Sequence, residues 1–259
     1  AVRKRDKKQL AKLEEGRRTK ELEEAREFQM KMLPKECPKV MDLEISAGIK
    51  TATEVGGDYY DFFPQKDDSV YVVVGDATGH GMTAGMMVSI TKAGLYGTPP
   101  NIPPNEVSYI LNRTIKAIEL GKNKMAISIA RFWPDRLELT SAAMPPLYHY
   151  KSSIENVDEI LLEGLPLGSF KGETYGQLEI SSEPGDAFVF ISDGLPEATN
   201  NSEEMLGYEA VLDCVRENGK NSAEEIKQSL FDLGAAWLDG IQNQDDITVV
   251  VVKKADGTT

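Results

Sequence analysis

Apolar and polar positions divide the 259-residue chain into a charged helical segment and a folded domain. Residues 1–33 lack proline and are rich in Lys, Arg, Glu, Leu and Ala, a composition typical of helices. Leu10 and Leu13 do not share a heptad frame with the later positions, which are Leu22, Ala25, Gln29 and Met32. The spacing therefore favours a helix with a register break near Gly16 over one long coiled coil.

Pro34 and Pro38 end this helix, and short β-type segments follow. Ten strands are predicted, at 43–49, 58–63, 69–76, 125–132, 135–141, 146–151, 157–162, 175–181, 186–192 and 246–253. Helices are predicted in two pairs, at 81–96 with 104–120 and at 203–217 with 222–238. Ser222 and Glu225 form a capping-box pattern at the start of the last helix. Because strands come in runs rather than alternating with helices, the order predicts an α+β domain over 34–255, with mostly antiparallel sheets.

Composition narrows the class of protein. The net charge of the chain is −13. Residues 1–27 hold ten basic and seven acidic residues, a net charge of +3, so the remaining residues have a net charge of −16. An acidic domain lacks the basic surface that nucleic acids require, so no nucleic-acid partner is expected. Cys37 and Cys214 have no paired spacing, which argues against a disulfide scaffold. No apolar run is long enough for a membrane span, and a cytoplasmic location is expected. The start without Met suggests a fragment of a longer protein with an upstream sensor domain.

Aspartates stand at the ends of the most apolar strands. Asp58 lies in VGGDYYD, Asp76 opens DATGHG, Asp193 follows AFVFIS, and Asp245 and Asp246 precede ITVVVV. Carboxylates brought together raise one another's pKa, and bound divalent cations relieve the repulsion. Ligand sets made only of oxygen select hard ions such as Mg²⁺ and Mn²⁺.

Each acid alone also fits an ordinary turn or a solvated loop. Four sites of the same form favour a shared metal centre over four separate turns. The glycine-containing loop at 75–81 matches neither common phosphate-binding pattern, and His80 alone suits a polar turn residue. A serine hydrolase is disfavoured because the chain has no GxSxG motif.

Together these motifs resemble the metal-dependent protein phosphatase 2C superfamily, in its bacterial SpoIIE-like (RsbU-like) branch. The resemblance covers about residues 28–253. It rests on four ordered motifs, EVGGDYYD at 54–61, GDATGHG at 75–81 followed by Ala84, SDGLPEA at 192–198 and DDIT at 245–248. Gln29, MLP at 32–34 and LPLG at 165–168 also match.

The resemblance implies a β-sandwich of two antiparallel sheets flanked by helix pairs, with two Mg²⁺ or Mn²⁺ ions. It implies that Asp76 bridges the two ions, with the Ala77 carbonyl beside it. It also implies that Asp193 and Asp245 are ligands of the first ion and that Asp58 is a ligand on the second side. Asp76 and Asp193 are the acids on which catalysis is expected to depend. Asp246 ranks below Asp245, because relatives often have Asn at its position. Met144 replaces a usual His, and no general-acid role is carried over to His80.

The implied activity is a protein-serine/threonine phosphatase in which two metals about 3.5–4 Å apart activate a water. The implied substrate is a phosphorylated STAS-domain anti-sigma-factor antagonist in a stress-response pathway. A catalytically silent pseudophosphatase that acts as a binding module is the alternative. A third hypothesis is a competent domain held off until the 1–33 helix rearranges. This helix is expected to connect the domain to its upstream sensor and to form a homodimer.

Overall fold

The computed structural model describes residues 2–40, 42–52, 55–79 and 81–255, without the side chains of residues 2–8, 10 and 11. The helices are α1 (Val2–Met32), α2 (Met82–Tyr96), α3 (Pro104–Ile118), α4 (Tyr208–Asn218) and α5 (Ala223–Leu238). The strands are β1 (Leu43–Lys50), β2 (Asp58–Pro64), β3 (Val70–Ala77), β4 (Met125–Phe132), β5 (Arg136–Ala142), β6 (Leu147–Lys151), β7 (Asn156–Ile160), β8 (Leu178–Ser181), β9 (Ala187–Ile191) and β10 (Ile247–Lys254).

The strands form two five-stranded sheets, and every strand pair is antiparallel. Sheet 1 has the order β1-β10-β9-β6-β7, and sheet 2 has the order β2-β3-β4-β5-β8. Helices α2 and α3 pack on sheet 2, whereas α4 and α5 pack on sheet 1. The predicted α+β class, a sandwich of two antiparallel sheets flanked by helix pairs, is confirmed.

The core explains why the central strands are continuously apolar. Phe188 and Phe190 of β9 face the other sheet, where their rings lie 5.5 and 6.5 Å from the ring of Phe132. Val189 points the opposite way and packs in a second cluster with Leu230 of α5. Successive strand residues point to opposite faces, so a sheet covered on both sides needs apolar residues at every position.

Some predicted boundaries were wrong. The predicted helix 203–217 begins only at Tyr208, because Glu203 and Gly207 have φ values of 60° and 84°, which a right-handed helix cannot contain. The predicted strand 175–181 is shortened to β8, whose residues alone pair with β5. The capping box is confirmed, since the Ser222 side chain accepts from the Glu225 amide while the Glu225 side chain accepts from the Ser222 amide.

Helix α1 runs through Gly16 without interruption. None of the helices that the structure describes is both long and apolar enough to cross a membrane. Cys37 and Cys214 are both free, as their spacing predicted.

Candidate metal centre

Two of the predicted acids are neighbours in sheet 2. Asp58 begins β2 and Asp76 lies near the end of β3, and the antiparallel register pairs them directly. Asp58 is buried, and its Oδ2 accepts hydrogen bonds from the hydroxyls of Ser192 at 2.7 Å and Thr248 at 2.6 Å. Both hydroxyls come from the end of sheet 1, so Asp58 links the two sheets at this edge of the sandwich.

The other predicted acids lie where sheet 1 reaches the same edge. Strand β9 ends and β10 begins side by side, because they are antiparallel and the Ser192 amide donates to the Thr248 carbonyl at 3.1 Å. Asp193 therefore follows β9 close to Asp245, which precedes β10. The fold brings together acids that are separated by up to 187 positions in the sequence, from Asp58 to Asp245.

Electrostatics show that these carboxylates act on one another. Burial raises the pKa of Asp76 to about 8, with further contributions from the charges of Asp193, Asp245, Asp246 and Glu197. Burial also raises the pKa of Asp193 to about 6, helped by Asp245 and Glu197. The pKa of Asp58 is raised well above its usual value by burial and then by the charge of Asp76. Without a cation, the centre therefore resists full ionisation.

Gly57 allows the backbone to approach Asp76 and Ala77. A methyl group on Gly57 would stand 2.6 Å from the Ala77 carbonyl oxygen and 2.9 Å from Asp76 Oδ1. The Ala77 amide also donates to the Gly57 carbonyl at 2.9 Å. The carbonyl of Ala77 thus lies on the same side of the chain as the Asp76 carboxylate, beside a position that only glycine can occupy without displacement.

Asp246 has a structural role. Its carboxylate is buried and accepts hydrogen bonds from the amides of Ala52 at 2.8 Å, Gly57 at 2.9 Å and Asp58 at 3.4 Å. These bonds fix the loop that leads into β2 against the start of β10. Asp245, by contrast, is exposed at the edge of the sandwich.

The residues present suit a hard cation. Asp193 Oδ1 is buried and has no hydrogen-bond partner among the described residues, as expected for an atom that a cation would contact. The donor set consists of carboxylate and carbonyl oxygens, which Mg²⁺ and Mn²⁺ prefer. Within the described part of the chain, no group of three or more His, Cys, Asp or Glu side chains is arranged to hold a metal ion. The acids thus lie close enough to shift one another's pKa, but they are not arranged as a complete set of metal ligands.

Several residues at the centre had no role in the sequence-based prediction. Ser192 and Thr248 lie inside the recognised motifs, and only the fold shows that they bind Asp58. Glu197 was also inside a motif, and its charge raises the pKa of both Asp76 and Asp193. Met144, which stands where the resembled branch usually has a His, is buried and lines a cleft together with Asp193. Glu54 and His80 lie outside the described residues.

Helix α1 is linked by hydrogen bonds to residues on either side of Asp58. The buried side chain of Gln29 donates to the Gly56 carbonyl at 2.7 Å and accepts from the Gly56 amide at 3.0 Å. Lys92 of α2 donates to the Met32 carbonyl and to the Asp61 carboxylate, both at 2.6 Å. The end of α1 is therefore joined to Gly56, two residues before Asp58, and through Lys92 to β2.

Comparisons with known proteins agree with this architecture. The family model "Stage II sporulation protein E (SpoIIE)" matches residues 66–255. The chain is 27% identical to phosphoserine phosphatase RsbU of Bacillus subtilis (strain 168) over 237 residues, which is 90% of this chain and 70% of RsbU.

Solved structures share the fold. The SiaA-PP2C domain of Pseudomonas aeruginosa has a TM-score of 0.80 at 20% identity, covering 92% of this chain and 97% of that domain. The RsbU and RsbW domains of Rv1364c from Mycobacterium tuberculosis have a TM-score of 0.70 at 23% identity, and the match covers 86% of this chain and 62% of that chain. At these identities the structures establish the fold alone, whereas the family model covers most of the chain. The chain shares the fold of the PP2C-type domain of SiaA, and it belongs to the SpoIIE family, whose model matches residues 66–255.

Proposed function

We propose that this chain hydrolyses phosphoserine or phosphothreonine on a signalling protein, namely a STAS-domain anti-sigma-factor antagonist of a partner-switching pathway. The observation that carries the proposal is the meeting of Asp58 and Asp76 from sheet 2 with Asp193 and Asp245 from sheet 1 at one edge of the sandwich. The relative RsbU is named a phosphoserine phosphatase, which supports the choice of substrate.

The proposed ligands of two Mg²⁺ or Mn²⁺ ions are Asp76 with the Ala77 carbonyl, Asp193 and Asp245 toward one ion, and Asp58 on the second side. Such ions, when bound, neutralise phosphoryl oxygens and lower the pKa of a water molecule. The raised pKa values of Asp76 and Asp193 support this proposal, because acids that ionise reluctantly alone gain most from a cation.

The protein's own contribution is to hold these acids in place. Asp246 fixes the loop before β2 through three backbone amides, and Ser192 and Thr248 hold the Asp58 carboxylate across the two sheets. Ground-state phosphate dianions are repelled by the acids alone, so turnover depends on the ions. A water oxygen would then bond to phosphorus as the bond from phosphorus to the serine oxygen breaks, and the proton that the water loses would pass to the serine oxygen, so no residue of the chain needs to be phosphorylated.

Regulation through α1 is part of the proposal. Gln29 bonds to the loop next to Asp58, so a movement of α1 displaces that loop. We propose that α1 connects an upstream sensor to the centre and that it also forms a homodimer. A cytoplasmic location is proposed from the same signalling role.

The test is phosphate release by the full chain with and without Mn²⁺. Wild-type protein should hydrolyse p-nitrophenyl phosphate and a phosphorylated STAS-domain protein only when Mn²⁺ or Mg²⁺ is present. Asp76→Asn and Asp193→Asn should abolish release, whereas Asp232→Asn, at an exposed position on α5, should leave it unchanged. Unchanged turnover in the first two variants would refute the ligand assignment. No turnover with any metal would instead indicate the catalytically silent binding module.

A further inference from the structure

A cleft of about 440 Å³ opens beside the metal centre, and the function proposed above does not use it. Asp193 and Glu197 line one side, and Met144, Pro146, Leu161 and Tyr208 contribute its apolar lining. Asp193 thus belongs both to the acid cluster and to this surface, which we call the Asp193 cleft. A chain that brings a phosphorylated side chain to Asp193 can therefore contact this surface as well.

The walls of the Asp193 cleft are preformed. One wall is the connection between β5 and β6, in which Ala143 takes a left-handed φ of 63° before two consecutive prolines. Proline fixes its own φ and restricts the residue before it, so this connection has little freedom. The facing wall is a tight turn in which the Glu197 amide donates to the Asp193 carbonyl at 2.9 Å, and Tyr208 begins α4.

The chemistry of the Asp193 cleft suits one kind of occupant. Leu161 is 63% exposed and Tyr208 is 38% exposed, although both are large hydrophobic side chains that line the cleft. Covering them with an apolar side chain would be favourable by the hydrophobic effect. Glu197 adds negative charge to the lining and is not among the proposed metal ligands, so an acidic side chain beside it would be repelled.

We propose that the Asp193 cleft binds an aliphatic or aromatic side chain located one or two residues from the phosphorylated residue of the protein substrate, and that it disfavours an acidic side chain there. This inference rests on the proposed phosphatase function and adds a sequence preference to it. Leu161 supplies the apolar contact, while Glu197 supplies the discrimination against acids.

The experiment compares phosphoserine peptides that differ at one flanking position. Leu, Ala or Glu is placed at each of the two positions before and after the phosphoserine, and p-nitrophenyl phosphate serves as the substrate without flanking residues. At one or more positions, kcat/KM should be about tenfold higher for Leu than for Glu, mainly through KM, because partial burial of one apolar side chain is worth about the 1.4 kcal/mol that a tenfold change represents.

A variant that introduces a positive charge separates recognition from damage to the fold. Leu161→Lys should lower the kcat/KM of the Leu peptide about tenfold relative to p-nitrophenyl phosphate, and it should improve the Glu peptide. Phe170→Lys is the matched control, because Phe170 is 62% exposed and does not line the Asp193 cleft. This control should retain the wild-type preference.

The outcomes are distinguishable. Equal kcat/KM for all peptides, no peptide hydrolysis beside normal p-nitrophenyl phosphate turnover, or a Leu161→Lys enzyme with the wild-type preference would overturn the cleft proposal. Failure of wild-type protein to hydrolyse p-nitrophenyl phosphate with Mn²⁺ or Mg²⁺ would overturn the phosphatase function itself.

Discussion

Replacing Asp76 by Asn should stabilise the metal-free protein while it removes activity. The pKa of Asp76 rises from 3.8 to about 8 on folding, chiefly because of burial. At pH 7 the folded state thus holds Asp76 mostly protonated, whereas the unfolded chain ionises it. At pH 7 the pH lies about three units above the unfolded pKa of 3.8, and each unit corresponds to about 1.4 kcal/mol. Keeping Asp76 protonated therefore destabilises the folded state by about 4 kcal/mol at most. Partial exposure and relaxation reduce this to about 2 kcal/mol.

The assay is thermal unfolding of chelator-treated protein, followed by circular dichroism. Asp76→Asn should raise Tm by about 4–8 °C at pH 7 for a domain of this size. Because the folded pKa is raised, the wild-type protein loses stability as pH increases from about 4 to 8, so the difference should be larger at pH 8 than at pH 5. Adding Mn²⁺ should raise Tm of the wild type alone. A variant less stable than the wild type, or a difference independent of pH, would show that burial does not raise the pKa of Asp76 in this way.

Three further predictions concern the surroundings of the centre. Gly57→Ala should reduce Mn²⁺-dependent phosphate release at least tenfold and lower the free energy of unfolding in urea by about 1–3 kcal/mol, since its methyl group would collide with the Ala77 carbonyl. Gln29→Ala removes both hydrogen bonds to Gly56 and should raise the Mn²⁺ concentration for half-maximal activity several-fold; an unchanged titration would separate α1 from the centre. Sedimentation equilibrium should give twice the monomer mass for the full chain, and the monomer mass after removal of residues 1–18.

The arrangement of the strands followed from local sequence patterns. Period-2 alternation and continuous apolar runs indicated ten strands, and their occurrence in runs indicated antiparallel sheets. The start of α4 was harder to predict, because Glu203 and Gly207 have left-handed φ values that only the fold imposes. Similarly, strand β8 is shorter than predicted because its partner β5 pairs with only four residues.

For the centre, the sequence indicated which acids matter but not how they are held. Asp245 and Asp246 are adjacent and chemically identical, yet one is exposed and the other is buried with three amide donors. The bonds from Ser192 and Thr248 to Asp58 join residues more than 130 positions apart. Such contacts depend on how the two sheets meet, and local patterns carry no signal for them.

The most direct test of the proposed metal centre is a crystal structure of protein soaked in Mn²⁺, with the ions located by anomalous scattering. We expect two ions among Asp58, Asp76, Asp193 and Asp245, with the Ala77 carbonyl directed at one of them. If saturating Mn²⁺ leaves these four carboxylates without a shared ion, they do not form a metal centre.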